Sequence, residues 1–293
     1  MTGSRASSMR LTGLAFVGPF VAFYTVLLIV PLIMGMILSF HQADLFGARR
    51  WVGFENYLRL AGDPVFHSAL ANTLLLTLLV VPVLTALTLA LALALNRATR
   101  GAAIFRGLFF SSSVLSVTIV TLIWRFVLTP DAGLIAKVLA WFGAEPIPFL
   151  SHPDLTIPAL AITTIWWSLG LPMMLFLAGL QQVPGELYEA AALDKAGRWT
   201  TLRRVTLPSI RRTIIVVVML QTAAQLQIFG QAQLLTSGGP SGASRPVVLW
   251  IYEVAFGRWE LGYATAAAEI LFLLVLSVTA LQYWFTTRED RVR

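Results

Sequence analysis

The chain has 293 residues, 57% of them hydrophobic and only 12% charged, with a mean hydropathy of +0.78 and a formal net charge of +7. A soluble domain carries about 25% charge; here there are too few polar residues to coat a water-facing surface, and a bilayer is the expected solvent. The absence of cysteine excludes disulfides, Cys-ligated metal sites and thiol nucleophiles.

In chain order, a polar tail, residues 1–10, precedes an almost unbroken apolar run from Leu11 to Phe40. That run exceeds the apolar core of a secretion signal and lacks a small-residue cleavage site. It reads as a first membrane span, kinked at Pro19 or Pro31. A mixed loop from His41 to Ser68 follows, with Gly47, Gly53, Gly62 and Pro64 as breakers. Ala69–Asn96 is the second span; its Leu–Ala alternation imitates a strand, but its length favours a spanning helix.

Arg97, Arg100 and Arg106 form a basic connector to a third span, Gly107–Leu128. Arg125 lies near its far end and is expected to reach the outer surface. After a Gly- and Pro-rich loop, Thr129–Pro153, comes the fourth span, Leu155–Leu180. The fifth span, Thr213–Leu235, leads into a loop, Thr236–Glu260, that opens with the Gly-rich run SGGPSG. Leu261–Phe285 is the sixth span, and residues 286–293 form a second basic tail. The expected fold is all-α and integral to the membrane, with a six-span domain over residues 11–285.

Six spans place both termini on one side. The two tails, the Arg97–Arg106 connector and the segment Gln181–Arg212 hold 14 of the 21 basic residues but only five of the 14 acids. The positive-inside rule therefore puts these segments in the cytoplasm. Topology accounts for the +7, and nucleic-acid binding needs no invoking. No Gly-Lys-Ser/Thr phosphate loop, Gly-x-Ser-x-Gly elbow or His-Glu-x-x-His helix occurs. His41, His67 and His152 are scattered, without metal-ligand spacing.

Glu186–Pro208, reading ELYEAAALDKAGRWTTLRRVTLP, is the longest polar interruption. It is rich in helix formers, Pro184 suits its opening turn, and Gly197 and Pro208 punctuate it. A helical element that docks onto a partner would have this composition. So would a solvated amphipathic loop, with Glu189 favouring an early helical turn.

This stretch resembles the cytoplasmic EAA loop of ABC importer permeases: Glu189, Ala190 and Ala191 match its start, Leu207 and Pro208 its end. Asp194 and Gly197 lie between. The family's glycine falls at position 195, where this chain has Lys195. WVGFENYLRL after the first span and FGQAQLLTSGGP after the fifth resemble the carbohydrate-uptake branch, the maltose-type and glycerol-3-phosphate-type permeases. The resemblance implies a type I importer permease in a bacterial cell membrane. Its implied partners are a second permease, two ATPase subunits that hold the ATP and magnesium, and an extracytoplasmic solute-binding protein. It assigns the EAA element a coupling role, with Ala190, Ala191 and Ala192 expected to form a small-residue docking face and Glu189 to pair with a partner arginine.

Polar residues within spans usually face an interior path. Gln221 and Gln225 lie four apart, beside Ile228; Thr164, Trp167 and Ser168 share a face of the fourth span. The family binds sugars with these two spans, so the resemblance makes these residues the substrate-path candidates. Helix–helix hydrogen bonding is the alternative use of such side chains. Glu269 could line the path, or it could sit near the outer interface or pair with the sister permease. Asn72 fits either a gate or a helix–helix bond. An ion-coupled secondary transporter is the rival class, but it calls for an internal repeat and a midplane ionisable cluster.

Overall fold

The computed structural model describes residues 16–44 and 46–290, the last six as backbone only. Both expected tails, apart from residues 286–290, and the start of the first span lie outside the described residues. Two compact units are distinguishable. One comprises the described residues up to Asp63 with Ile251–Leu273; the other comprises Pro64–Trp250 with the chain from Leu274.

In the first unit, α1 (Phe16–Ser39) is a 24-residue apolar helix. One turn, Thr25–Ile29, is widened so that the Val30 amide bonds the Thr25 carbonyl, five residues back. Pro31 follows: it lacks an N–H and its ring crowds the preceding turn, and the widening accommodates it. The expected kink at Pro31 is thus a widened turn. His41–Ala43 (β1) and Arg49–Trp51 (β2) form a short antiparallel hairpin, with His41 opposite Trp51. The polar stretch read as a loop therefore holds strands, and also α2 (Glu55–Gly62). Buried Asn56 on α2 fastens the hairpin, its amide donating to the carbonyls of Ser39 at 2.7 Å and His41 at 3.0 Å.

The second unit is built on α3 (Pro64–Leu95), a 32-residue helix that absorbs Pro82 without ending. Around it pack α7 (Pro153–Ser168), α8 (Gly170–Gln181) and α11 (Arg211–Leu226). Before these come α4 (Arg100–Ser112), α5 (Val117–Leu128) and α6 (Leu134–Trp141). Between α8 and α11 lie α9 (Gly185–Leu193) and α10 (Arg198–Ser209). The chain continues through α12 (Gly230–Leu235) and α13 (Val247–Gly257) to α14 (Leu261–Asp290).

Three of these helices, α1, α3 and α14, are long and apolar enough to cross a membrane as single rods among the described residues. Three further crossings are possible only as bent pairs: α4–α5 at 97°, α7–α8 at 49° and α10–α11 at 69°. Several sequence expectations are corrected. Gly107–Leu128 is not one helix, and Arg100 and Arg106 belong to α4 rather than to a connector. The fourth span breaks at Leu169, and the fifth stops at Leu226 and resumes at Gly230. The loops Thr129–Pro153 and Thr236–Glu260 contain α6 and α13. The backbone of α14 runs past the expected end at Phe285. Leu–Ala and Ile–Val runs read as continuous helix because hydropathy carries no record of bends.

Candidate functional site: interlocked helix breaks and an exposed polar element

The break between α4 and α5 falls in the run SSSVLS, residues 111–116. Serine hydroxyls there do work that helical backbone does elsewhere. Ser112 donates to the Trp166 carbonyl at 3.2 Å, and Ser113 donates to the Trp167 carbonyl at 3.0 Å. Ser113 also accepts the Gly170 amide at 3.0 Å, across the α7–α8 break. The Trp167 indole returns a bond to the Leu115 carbonyl at 3.0 Å. Freed backbone groups inside a membrane need such partners. Gly170 is required by space: a Cβ there would stand 2.6 Å from Ser113 Oγ and 2.8 Å from Phe110 Cα. A third break, Gln227–Phe229, abuts the same place, since a Cβ on Gly230 would meet Val117 at 3.0 Å. Leu169 and Ile228 share one buried cluster with Leu160, Ala232 and Leu128.

Four of the six path candidates, Trp167, Ser168, Gln225 and Ile228, sit at or beside these breaks, whereas Thr164 and Gln221 lie within α7 and α11. Trp167 and Ser168 end α7, half-buried; Gln225 lies in the last turn of α11 and Ile228 in the break beyond it. Gln221 and Gln225 are both buried. Thr164 is buried one turn back, its hydroxyl bonded to the Leu160 carbonyl at 2.7 Å. No hydrogen bond joins Trp167 to either glutamine among the described residues. Sequence reasoning missed Ser112, Ser113, Gly170 and Gly230; the serine run inside an apolar stretch was the available signal.

Asn72 bonds a turn of the chain rather than another helix. Its amide donates to the carbonyls of Gly242 at 3.0 Å and Arg245 at 3.1 Å, closing the SGGPSG turn. Thr73 beside it accepts the Val247 amide at 2.8 Å and so anchors the start of α13. Glu269, half-buried on α14, lies beside Gly35 of α1. Arg125 is exposed.

The EAA element is two helices joined by a tight reversal. At the end of α9 the Lys195 amide bonds the Ala192 carbonyl and the Ala196 amide bonds the Ala191 carbonyl, a Schellman closure. Lys195 itself takes φ +53°, the left-handed region that favours glycine. The bend is therefore at Lys195. Gly197 has an ordinary φ of −66° and serves as N-cap of α10, its carbonyl accepting the Thr201 amide. Glu189, Ala190, Ala192 and Asp194 are exposed, whereas Ala191 turns inward and is buried. The three alanines thus do not form one face, because consecutive helical residues diverge by about 100°. Leu193 is 84% exposed and Trp199 71%. Near Pro208 the turn Leu202–Thr206 is widened, as before Pro31, with Leu207 half-buried at its end. The element leaves α8 and returns on α11 at one tight point, where a Cβ on Gly179 would meet Thr213 Oγ1 at 2.6 Å. Ile210, Leu180, Phe176 and Val217 pack in the cluster below.

Residues 86–291, spanning these breaks and the projecting element, match the family model of the binding-protein-dependent transport system inner membrane component. The chain belongs to this family. As a member of it, the chain is a multi-pass membrane permease. It is 32% identical to the diacetylchitobiose uptake system permease protein NgcF of Streptomyces coelicolor, over 92% of this chain and 80% of that one. It is 33% identical to the multiple sugar-binding transport system permease protein MsmF of Streptococcus mutans, over 87% of this chain and 92% of that one. In fold, the permease matches a chain of the bacterial alginate ABC transporter, solved in complex with its alginate pentasaccharide-bound periplasmic protein. That match has a TM-score of 0.87 and 22% identity and covers 98% of both chains.

Proposed function

We propose that this permease forms part of the membrane path of an ATP-driven sugar importer in a bacterial cell membrane, with both termini and the segment Gln181–Arg212 in the cytoplasm. The carbohydrate-uptake relatives support the substrate class, and the concentration of basic residues in the tails, the Arg97–Arg106 stretch and Gln181–Arg212 supports the orientation. A second permease completes the path, two ATPase subunits bind ATP and magnesium, and a solute-binding protein delivers the sugar.

The observation that carries this reading is the helix–reversal–helix element Gly185–Ser209. It exposes Glu189, Ala190, Leu193 and Trp199 while its base is clamped at Gly179 and Thr213. A projecting element on a rigid root transmits displacement to the helices it joins, α8 and α11, and these end at the breaks carrying Gln225 and Ile228 or begin beside Trp167 and Ser168. Aromatic, amide and hydroxyl groups at those breaks suit a sugar's faces and hydroxyls. The test is co-purification of the ATPase subunits with wild-type and Glu189→Lys permease, paired with sugar uptake in proteoliposomes. The expected result is loss of association and uptake in the variant. Uptake by the permease alone, driven by an ion gradient, would overturn the reading in favour of secondary transport.

A further inference from the structure

Only seven basic residues lie outside the segments assigned to the cytoplasm, and four of them, Arg49, Arg50, Arg59 and Arg258, line one cavity of about 740 Å³ in the first unit. Two carboxylates, Asp44 and Glu260, share that cavity. Arginines on the outer side oppose the topogenic trend, and gathering them raises their mutual repulsion. Part of the wall is spoken for. Arg59 pairs with Glu260, which holds its guanidinium charged, and lies over the Tyr263 ring. Tyr263 in turn donates to Asp63 at 2.8 Å, and Arg50 donates to Gln42 at 3.1 Å. The side chains of Arg49 and Arg258 have no hydrogen-bond or ion-pair partner among the described residues. Both are exposed at the rim. Next to Arg258, Trp259 stands 47% exposed at φ +62°, a conformation disfavoured for a bulky side chain. Trp51 and Phe54 nearby are 65% and 69% exposed.

We propose that this cavity is a docking socket for surface carboxylates of the partner solute-binding protein. The proposal rests on the importer reading and its orientation. Small-solute sites enclose their ligand in mostly apolar walls. This cavity instead has an exposed charged rim, and arginine with exposed aromatics is the composition of a protein–protein contact. Unpaired guanidinium groups facing water suit bidentate capture of carboxylates. Their field also steers encounter with an acidic face.

The experiment uses the whole importer, assembled in nanodiscs, and its labelled solute-binding protein, with association followed by stopped flow. Arg49→Glu with Arg258→Glu is expected to slow association by about tenfold or more and to flatten its salt dependence. Reversing the matching acids on the binding protein should restore the rate. An unchanged rate in the double variant, or a wild-type rate indifferent to salt, overturns the socket. So does a double-variant defect that disappears when anionic lipid is left out of the nanodisc, which assigns the arginines to headgroups. Arg49→Gln with Arg258→Gln gives the same readout with a smaller change if the reversed pair does not assemble. Failure of the binding protein to engage wild-type importer at all overturns the importer reading itself, and that outcome is distinct from a wild-type complex that ignores the arginines.

Discussion

The Gly170 amide donates to the Ser113 hydroxyl at 3.0 Å, and this one bond ties the break between α7 and α8 to the break between α4 and α5. The backbone groups freed at the α7–α8 break are met by serine hydroxyls of the α4–α5 break, and the Trp167 indole meets a carbonyl there in return, so each bend supports the other. The two crossings therefore behave as one joint, with Trp167 pinned across it by its bond to Leu115.

Gly170→Ala should break this joint. The added methyl would stand 2.8 Å from Phe110 Cα, which is backbone and cannot rotate away. A loss of about 1–3 kcal/mol is expected from the overpacking, read as a lowered thermal midpoint in detergent. Adding Ser113→Gly should not rescue it, since that change removes only the hydroxyl clash. A wild-type midpoint for Gly170→Ala would show that the two breaks are not in contact.

Lys195→Gly should stabilise the reversal between α9 and α10. A side chain at φ +53° costs about 1–2 kcal/mol relative to glycine. Gly197→Ala, at an ordinary φ and with nothing within 4 Å of the added Cβ, should be close to neutral. Hydrogen exchange of the Ala196 amide reports the closure directly. Slower exchange in Lys195→Gly is expected; faster exchange would place the reversal elsewhere.

Asn72→Leu removes the donor shared by Gly242 and Arg245, and Thr73→Val removes the acceptor of the Val247 amide. Each should cost about 1–3 kcal/mol through the groups left unmatched, two part-buried carbonyls in the first case and the buried Val247 amide in the second. Both act on one turn, so the double variant should lose less than the sum of the singles. Limited proteolysis within Gly238–Val247 measures the opening. Strict additivity would mean that the two contacts hold separate structures.

Ala190 and Ala191 should separate docking from folding. Ala190→Leu adds bulk to an exposed site and should leave stability within about 0.5 kcal/mol while weakening ATPase association. Ala191→Leu overfills a buried site and should lower stability by about 1–3 kcal/mol. Melting curves and co-purification, run side by side, check both; equal effects in both assays would put the two alanines in the same environment.

Hydropathy and charge by themselves determined the membrane class, the general placement of the apolar stretches and the conspicuous polar element at Glu186–Pro208. These follow from local composition, because a bilayer demands long apolar segments and charge bias is counted along the chain. Only the tertiary structure decided where the segments bend. The bends depend on partners distant in sequence: the Ser113 hydroxyl meets Gly170, and Gly230 fits against Val117. The same holds for Asn72, whose role rests on carbonyls some 170 residues further on, and for the four arginines, which belong to separate polar stretches and become one cavity only when those stretches fold together. Lys195 shows the boundary between the two. Its position was legible from the glycine it replaces, but its left-handed backbone was not, because helix-forming composition describes average preference while the Schellman closure imposes one conformation on one residue.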